Sequence, residues 1–137
     1  MDRWAVVDTG PLVAYLDRGE RHHSWTVAQF RSIEAPLVVC EPVLAETMFL
    51  LSRLQAAQEA LFGLLETGTL QIGFRLSDHL TAVRTLCRKY RDKPMSLADA
   101  CVVRMTEVLA DPIVLTTDED FRIYRRHSRQ TVPSVMP

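Results

Sequence analysis

Short apolar runs of strand length alternate along this chain with segments in which apolar residues return every three or four positions. Trp4-Ala5-Val6-Val7 is the first run; it ends at Asp8, and Gly10-Pro11 then opens a helical segment from Leu12 to Asp17. Val27, Phe30 and Ile33 recur at helical spacing until Pro36, after which Leu37-Val38-Val39-Cys40 reads as a strand. A second strand-to-helix turn at Glu41-Pro42 leads into Val43 to Leu54, which is apolar almost all round. That pattern predicts a helix that is buried or packs in a dimer. A further helix ends near Thr67-Gly68, Leu70 to Phe74 alternates as a strand, and residues 77 to 92 regain a helical period through Leu80, Val83, Cys87 and Tyr90. Ser96 begins another helix, with Ala98, Val102, Met105 and Leu109 on its inner face, and Ile113-Val114-Leu115 follows as a continuous apolar strand. Asp118 to His127 predicts a short final helix, and Val132 to Val135 a proline-bearing edge strand.

Strands that are apolar throughout and separated by helices predict an α/β fold with a parallel sheet covered on both faces, because right-handed crossovers bury each strand twice. Ligands of such sheets bind beyond the carboxyl ends of the strands, where the strand order reverses. Functional side chains are therefore expected after Val7, Cys40 and Leu115. Without repeats, low-complexity tracts or linkers, residues 1–137 are expected to form a single domain.

Composition adds limits more than direction. A hydrophobic share of 47% supports a real core, and a formal charge of −1 demands neither nucleic acid nor a membrane surface. Cys40, Cys87 and Cys101 are odd in number, widely spaced and free of CxxC or zinc-ligand patterns, which suits reduced thiols in the cytoplasm. Asp8 splits the apolar N-terminal stretches, so neither a signal-peptide core nor a spanning helix can be drawn there.

Candidate chemistry lies in four acids. Asp8 follows the first strand and Asp118 follows the strand ending at Leu115, so both reach the same rim. Glu46 and Asp99 sit early in helices with apolar neighbours, where a charge needs a reason. Each also has a structural explanation, since carboxylates near helix N-termini satisfy backbone N–H groups, and Ser96-Leu97-Ala98-Asp99 matches a capping box. Glu46, within Val43-Leu44-Ala45-Glu46-Thr47-Met48-Phe49, is the hardest to explain that way; it is expected to be buried. Clustered carboxylates raise one another's pKa unless a cation neutralises them, and an oxygen-only ligand set favours Mg²⁺ or Mn²⁺ over zinc.

Asp8-Thr9, Val43-Leu44-Ala45-Glu46, Ser96-Leu97-Ala98-Asp99-Ala100 and Leu115-Thr116-Thr117-Asp118-Glu119-Asp120-Phe121 resemble, in order, the four acidic motifs of PIN domains. The resemblance covers nearly the whole chain and is closest to the stand-alone toxin nucleases of VapBC toxin–antitoxin pairs. It implies a three-layer α/β/α sandwich, Mg²⁺- or Mn²⁺-dependent cleavage of RNA, a homodimer, and inhibition by a cognate antitoxin. By that pattern Asp8, Glu46 and Asp99 are the core metal ligands, Asp118 completes the pocket, and Thr9 and Thr116 support it. Asp120 competes with Asp118 for the fourth place; the Thr-x-Asp spacing favours Asp118.

The implied chemistry is phosphodiester hydrolysis by a metal-activated water, with no protein nucleophile. RNA also needs cationic contacts, and ten of the sixteen basic residues fall in two segments. One carries Arg84, Arg88 and Arg91 on a single helical face, the other Arg122 and Arg125; solvated helix faces or acidic partners would use the same residues. Rival readings are a phosphatase of the haloacid-dehalogenase type, which needs a second aspartate where this chain has Gly10, and a non-catalytic module that keeps the fold to bind RNA or protein. The glycines are too dispersed for a nucleotide-binding loop.

Overall fold

A computed structural model describes residues 3–137. Its centre is a five-stranded sheet in the order β3-β2-β1-β4-β7, every neighbouring pair parallel. The strands are β1 (Trp4–Val7), β2 (Leu37–Val39), β3 (Leu70–Ile72), β4 (Pro112–Leu115) and β7 (Ser134–Val135). Val6, Val7, Val38, Val39, Val114 and Leu115 have no exposed surface, the signature of strands covered on both faces.

Between β1 and β2 run α1 (Thr9–Leu16) and α2 (His23–Ser32); between β2 and β3 run α3 (Glu41–Leu50) and α4 (Gln55–Glu66). After β3 come α5 (Leu80–Lys89) and α6 (Leu97–Val108), which lead back across the sheet to β4. The first two crossovers step outward from β1 in one direction and the third returns to its other side. Right-handed crossovers therefore put α1 to α4 on one face and α5 and α6 on the opposite one. This is the expected α/β/α sandwich, and its strand order reverses between β1 and β4.

Two elements differ from the sequence expectation. The helix predicted to Leu54 stops at Leu50, because Leu51 turns inward to 1% exposure and the Gln58 side-chain amide donates to the Met48 carbonyl at 3.0 Å, fixing a corner into α4. That helix is also less buried than its composition predicts, with Phe49 77% and Leu50 58% exposed. The final helix expected over 118–127 is a 3₁₀ turn at Glu119–Arg122 followed by an antiparallel hairpin of β5 (Arg125–Arg126) and β6 (Gln130–Thr131). Phe121 and Tyr124, both fully buried, supply the three-residue spacing that mimics a helix. Beyond them His127 (φ 49°) and Ser128 (φ 67°) reverse the chain in the left-handed region. No helix among the described residues is long and apolar enough to cross a membrane.

Candidate metal centre

Asp8 stands at the carboxyl end of β1, one residue past the paired strand. Its backbone N–H donates to the Leu115 carbonyl at 3.0 Å, so the β1–β4 ladder continues through it and fixes where its side chain begins. Thr116, the residue after β4, donates its hydroxyl to Asp8 Oδ2 at 2.7 Å and accepts the Asp118 N–H at 3.0 Å. One buried threonine thus joins the ends of both central strands. Asp118 Oδ1 accepts the Asp120 N–H at 2.9 Å and caps the 3₁₀ turn.

Asp99 enters from α6. Ser96 caps that helix by accepting the Asp99 N–H at 3.0 Å, while Asp99 Oδ2 accepts the hydroxyl of Tyr124 at 2.9 Å. Glu46 comes from α3, and its Oε1 accepts the Thr9 hydroxyl at 2.9 Å. It is exposed, contrary to the burial expected from its apolar neighbours, because it shares the outer side of α3 with exposed Ala45, Phe49 and Leu50 while Val43 and Thr47 take the buried positions.

Burial, reinforced by the charges of Asp99 and Asp118, pushes the Asp8 carboxyl up to about 7, with the Thr116 hydroxyl and the Thr9 N–H pulling the other way. Burial also raises Asp99, against the Tyr124 hydrogen bond, and Asp118 adds to the rise. Tyr124 is pushed upward by burial and by Asp99, so its phenol remains a donor. Asp8 thus senses Asp99 and Asp118, Asp99 senses Asp118, and both Asp118 and Asp120 act on Tyr124. Among the described residues none of Asp8, Glu46, Asp99 or Asp118 pairs with a lysine or arginine.

Nor do three acidic, histidine or cysteine side chains converge there into a ready ligand set. Each carboxylate has its own hydrogen-bond partner: the Thr116 hydroxyl for Asp8, the Thr9 hydroxyl for Glu46, the Tyr124 hydroxyl for Asp99 and the Asp120 N–H for Asp118. The donor set is nonetheless all oxygen, rich in negative charge and without a basic neighbour, which fits a hard divalent cation.

Two contributors carried no clear sequence signal. Tyr124 lies in a basic stretch far from Asp99, and nothing in its neighbours marks it as that residue's partner. Gly10, read as a turn residue, lies in the first turn of α1; a Cβ there would meet the Thr117 side chain, so glycine lets α1 pass close to the loop after β4.

The arginines divide. Arg84, Arg88 and Arg91 are exposed and take part in no ion pair among the described residues. Arg122 pairs with Glu119 at 3.2 Å, and Arg125 donates to the carbonyls of Arg122, Ile123 and Tyr124. Tyr15 stacks on Phe30 and His79 on Phe74, in packing roles. All three cysteines are free thiols.

Fold and site together define an α/β protein that gathers acidic side chains at the switch point of a parallel sheet. The family model of the PIN domain matches residues 5–126, and the chain belongs to the PIN domain family. Among solved structures, the chain is similar to VapC20 of Mycobacterium tuberculosis, described as a sarcin–ricin loop cleaving toxin. The TM-score is 0.72 at 19% identity, covering 85% of this chain and 91% of that one. No curated protein matches.

Proposed function

We propose that residues 1–137 form a single PIN domain acting as a metal-dependent endoribonuclease that hydrolyses RNA phosphodiester bonds in the cytoplasm. What supports this reading is that Asp8 senses the charges of both Asp99 and Asp118, which come from two other elements, and that none of the three pairs with a lysine or arginine among the described residues. Asp8 and Asp99 would hold Mg²⁺ or Mn²⁺, with Glu46 and Asp118 binding it through water or orienting the attacking water. When bound, the cation supplies positive charge against that building on the phosphate and makes water a better nucleophile at neutral pH. Thr116 fixes one oxygen of the buried Asp8 carboxyl, Tyr124 occupies one oxygen of Asp99 and leaves the other free to bind, and Thr9 holds Glu46 at the rim. Arg84, Arg88 and Arg91 offer phosphate contacts, with Arg122 and Arg125 in reach of a smaller share because their guanidinium groups have partners within the chain.

The family and the similarity to a VapC toxin support a further reading, a toxin held inactive by a cognate antitoxin and assembled as a homodimer. Exposed Phe49, Leu50, Leu54 and Phe62 on and beside α3 and α4 offer apolar surface for such contacts.

Labelled RNA incubated with the protein and Mg²⁺ or Mn²⁺ tests the assignment. Cleavage should require metal, stop with EDTA, and fall at least 100-fold in folded Asp8→Asn, Asp99→Asn and Asp118→Asn variants, on the order of a lost charge-stabilising group. RNA binding with no cleavage under any metal would instead identify a non-catalytic module.

A further inference from the structure

Two apolar recesses flank Glu46. The larger, of about 540 Å³, runs from α3 to the start of α6 and is walled by Pro42, Ala45, Phe74, Leu76 and Leu97. Its size is that of a small-molecule pocket. Leu97 lies between the Ser96 cap and Asp99 and is 48% exposed, so this large apolar side chain lines the recess beside Glu46 rather than filling the core. Phe74 is held from behind by its stack on His79, with ring centroids 4.8 Å apart, which makes that wall rigid. The only charged groups in the lining are Glu41 and Glu46.

The geometry points to this recess as the seat of one unstacked nucleobase, next to the phosphodiester bond cut at the acidic cluster. The inference rests on the nuclease reading and adds to it a source of sequence preference. Every base has apolar ring faces, which the apolar side chains of Pro42 and Leu97 can cover over a floor formed by buried Phe74. The edges differ, and ionised glutamates accept hydrogen bonds without donating any. Glu41 therefore favours bases that present an exocyclic amino group, adenine, cytosine and guanine, over uracil, whose one donor on that edge, N3–H, sits between two carbonyl oxygens that a carboxylate repels. Placed between the elements that carry Glu46 and Asp99, a seated base sets which phosphate along the strand meets the acids.

The test uses short single-stranded RNAs with 2-aminopurine, uracil or an abasic sugar at one position, bound in EDTA so that no cleavage intervenes, and then the same series cut in Mn²⁺. Leu97→Gln and Ala45→Phe, one stripping a wall and one filling the space, are compared with wild type after circular dichroism melts show all three folded. Both substitutions should weaken the 2-aminopurine RNA roughly tenfold and abolish its fluorescence change on binding, while leaving the abasic RNA unaltered. Glu41→Gln should narrow the preference for adenine over uracil in kcat/KM, chiefly by lowering the value on the adenine-bearing RNA. Equal losses on abasic and base-bearing RNA, or unchanged binding and cleavage in both wall variants, would overturn the base seat while leaving the nuclease intact. Wild-type protein that neither binds nor cuts RNA would remove both readings. Variants that handle RNA normally but lose self-association would mark the recess as a protein contact.

Discussion

With its carboxyl held to about 7, Asp8 resists ionisation at the pH where a metal ligand must be charged. The unfolded chain releases this proton near the ordinary value of 3.8, whereas the fold retains it to about 7. The stabilising preference for the protonated fold is therefore complete below about pH 4 and lost progressively up to about pH 7, by on the order of 4 kcal/mol. Thermal melts without metal should show that decline, and Mn²⁺ should raise Tm far more at pH 8 than at pH 5. Asp8→Asn, which keeps an acceptor for Thr116, should flatten the pH slope, melt higher than wild type at pH 8 without metal, and lose the Mn²⁺ increment. A Tyr124→Phe variant keeps the ring between Phe121 and Tyr90 but frees Asp99 Oδ2. Calorimetric titration with Mn²⁺ should then show affinity weakened roughly 10- to 100-fold, the usual loss when a ligand's hydrogen-bond partner is removed. Asp8 and Asp99 could be picked out by residue type and position because an acid after an apolar strand, or within a helical apolar face, breaks a pattern. Tyr124 could not, since a tyrosine that serves an aspartate 25 positions away leaves no local trace.

At the scale of elements, the hairpin formed by β5 and β6 holds its turn in a backbone conformation that costs side-chain-bearing residues about 1 kcal/mol each. Ser128→Gly should recover most of that, raising Tm by a few degrees, and the backbone carbonyl that accepts Lys89 remains in place. Gly10→Ala should act in the opposite sense. Its methyl would strike the Thr117 side chain, which must turn away within the loop that bears Thr116 and Asp118. Loss of stability should be accompanied by loss of cleavage out of proportion to it, read by comparing activity at a temperature where the variant is still folded. The β1 to α1 passage was legible because an apolar strand, an acid and a helical period adjoin without ambiguity. The region after Asp118 was not, because two buried aromatics three residues apart satisfy a helix and a 3₁₀ turn equally well. Periodicity likewise could not show that α3 leaves Phe49 and Leu50 in solvent. An apolar residue reads the same whether it faces a core, a partner or water.

For the whole molecule, the exposed apolar side chains of α3 and α4 predict self-association. Sedimentation of the wild type should give a mass near twice the 15.6 kDa of the chain, and Phe62→Glu, far from the acidic residues in sequence, should shift it toward the monomer. A monomeric wild type would assign that surface to another partner. The sheet order has a different consequence, one of timing. Thr116 and Asp8 are 108 positions apart, and the strand that precedes Asp8 lies between neighbours made early and late in synthesis. A ribosome that has delivered β1, β2 and β3 carries a half-sheet whose Asp8 lacks β4, Thr116 and Asp118 alike. On the proposed nuclease reading, a truncated product ending before Pro112 lacks Thr116 and Asp118 and should cut no RNA, so that incomplete copies are inactive by geometry.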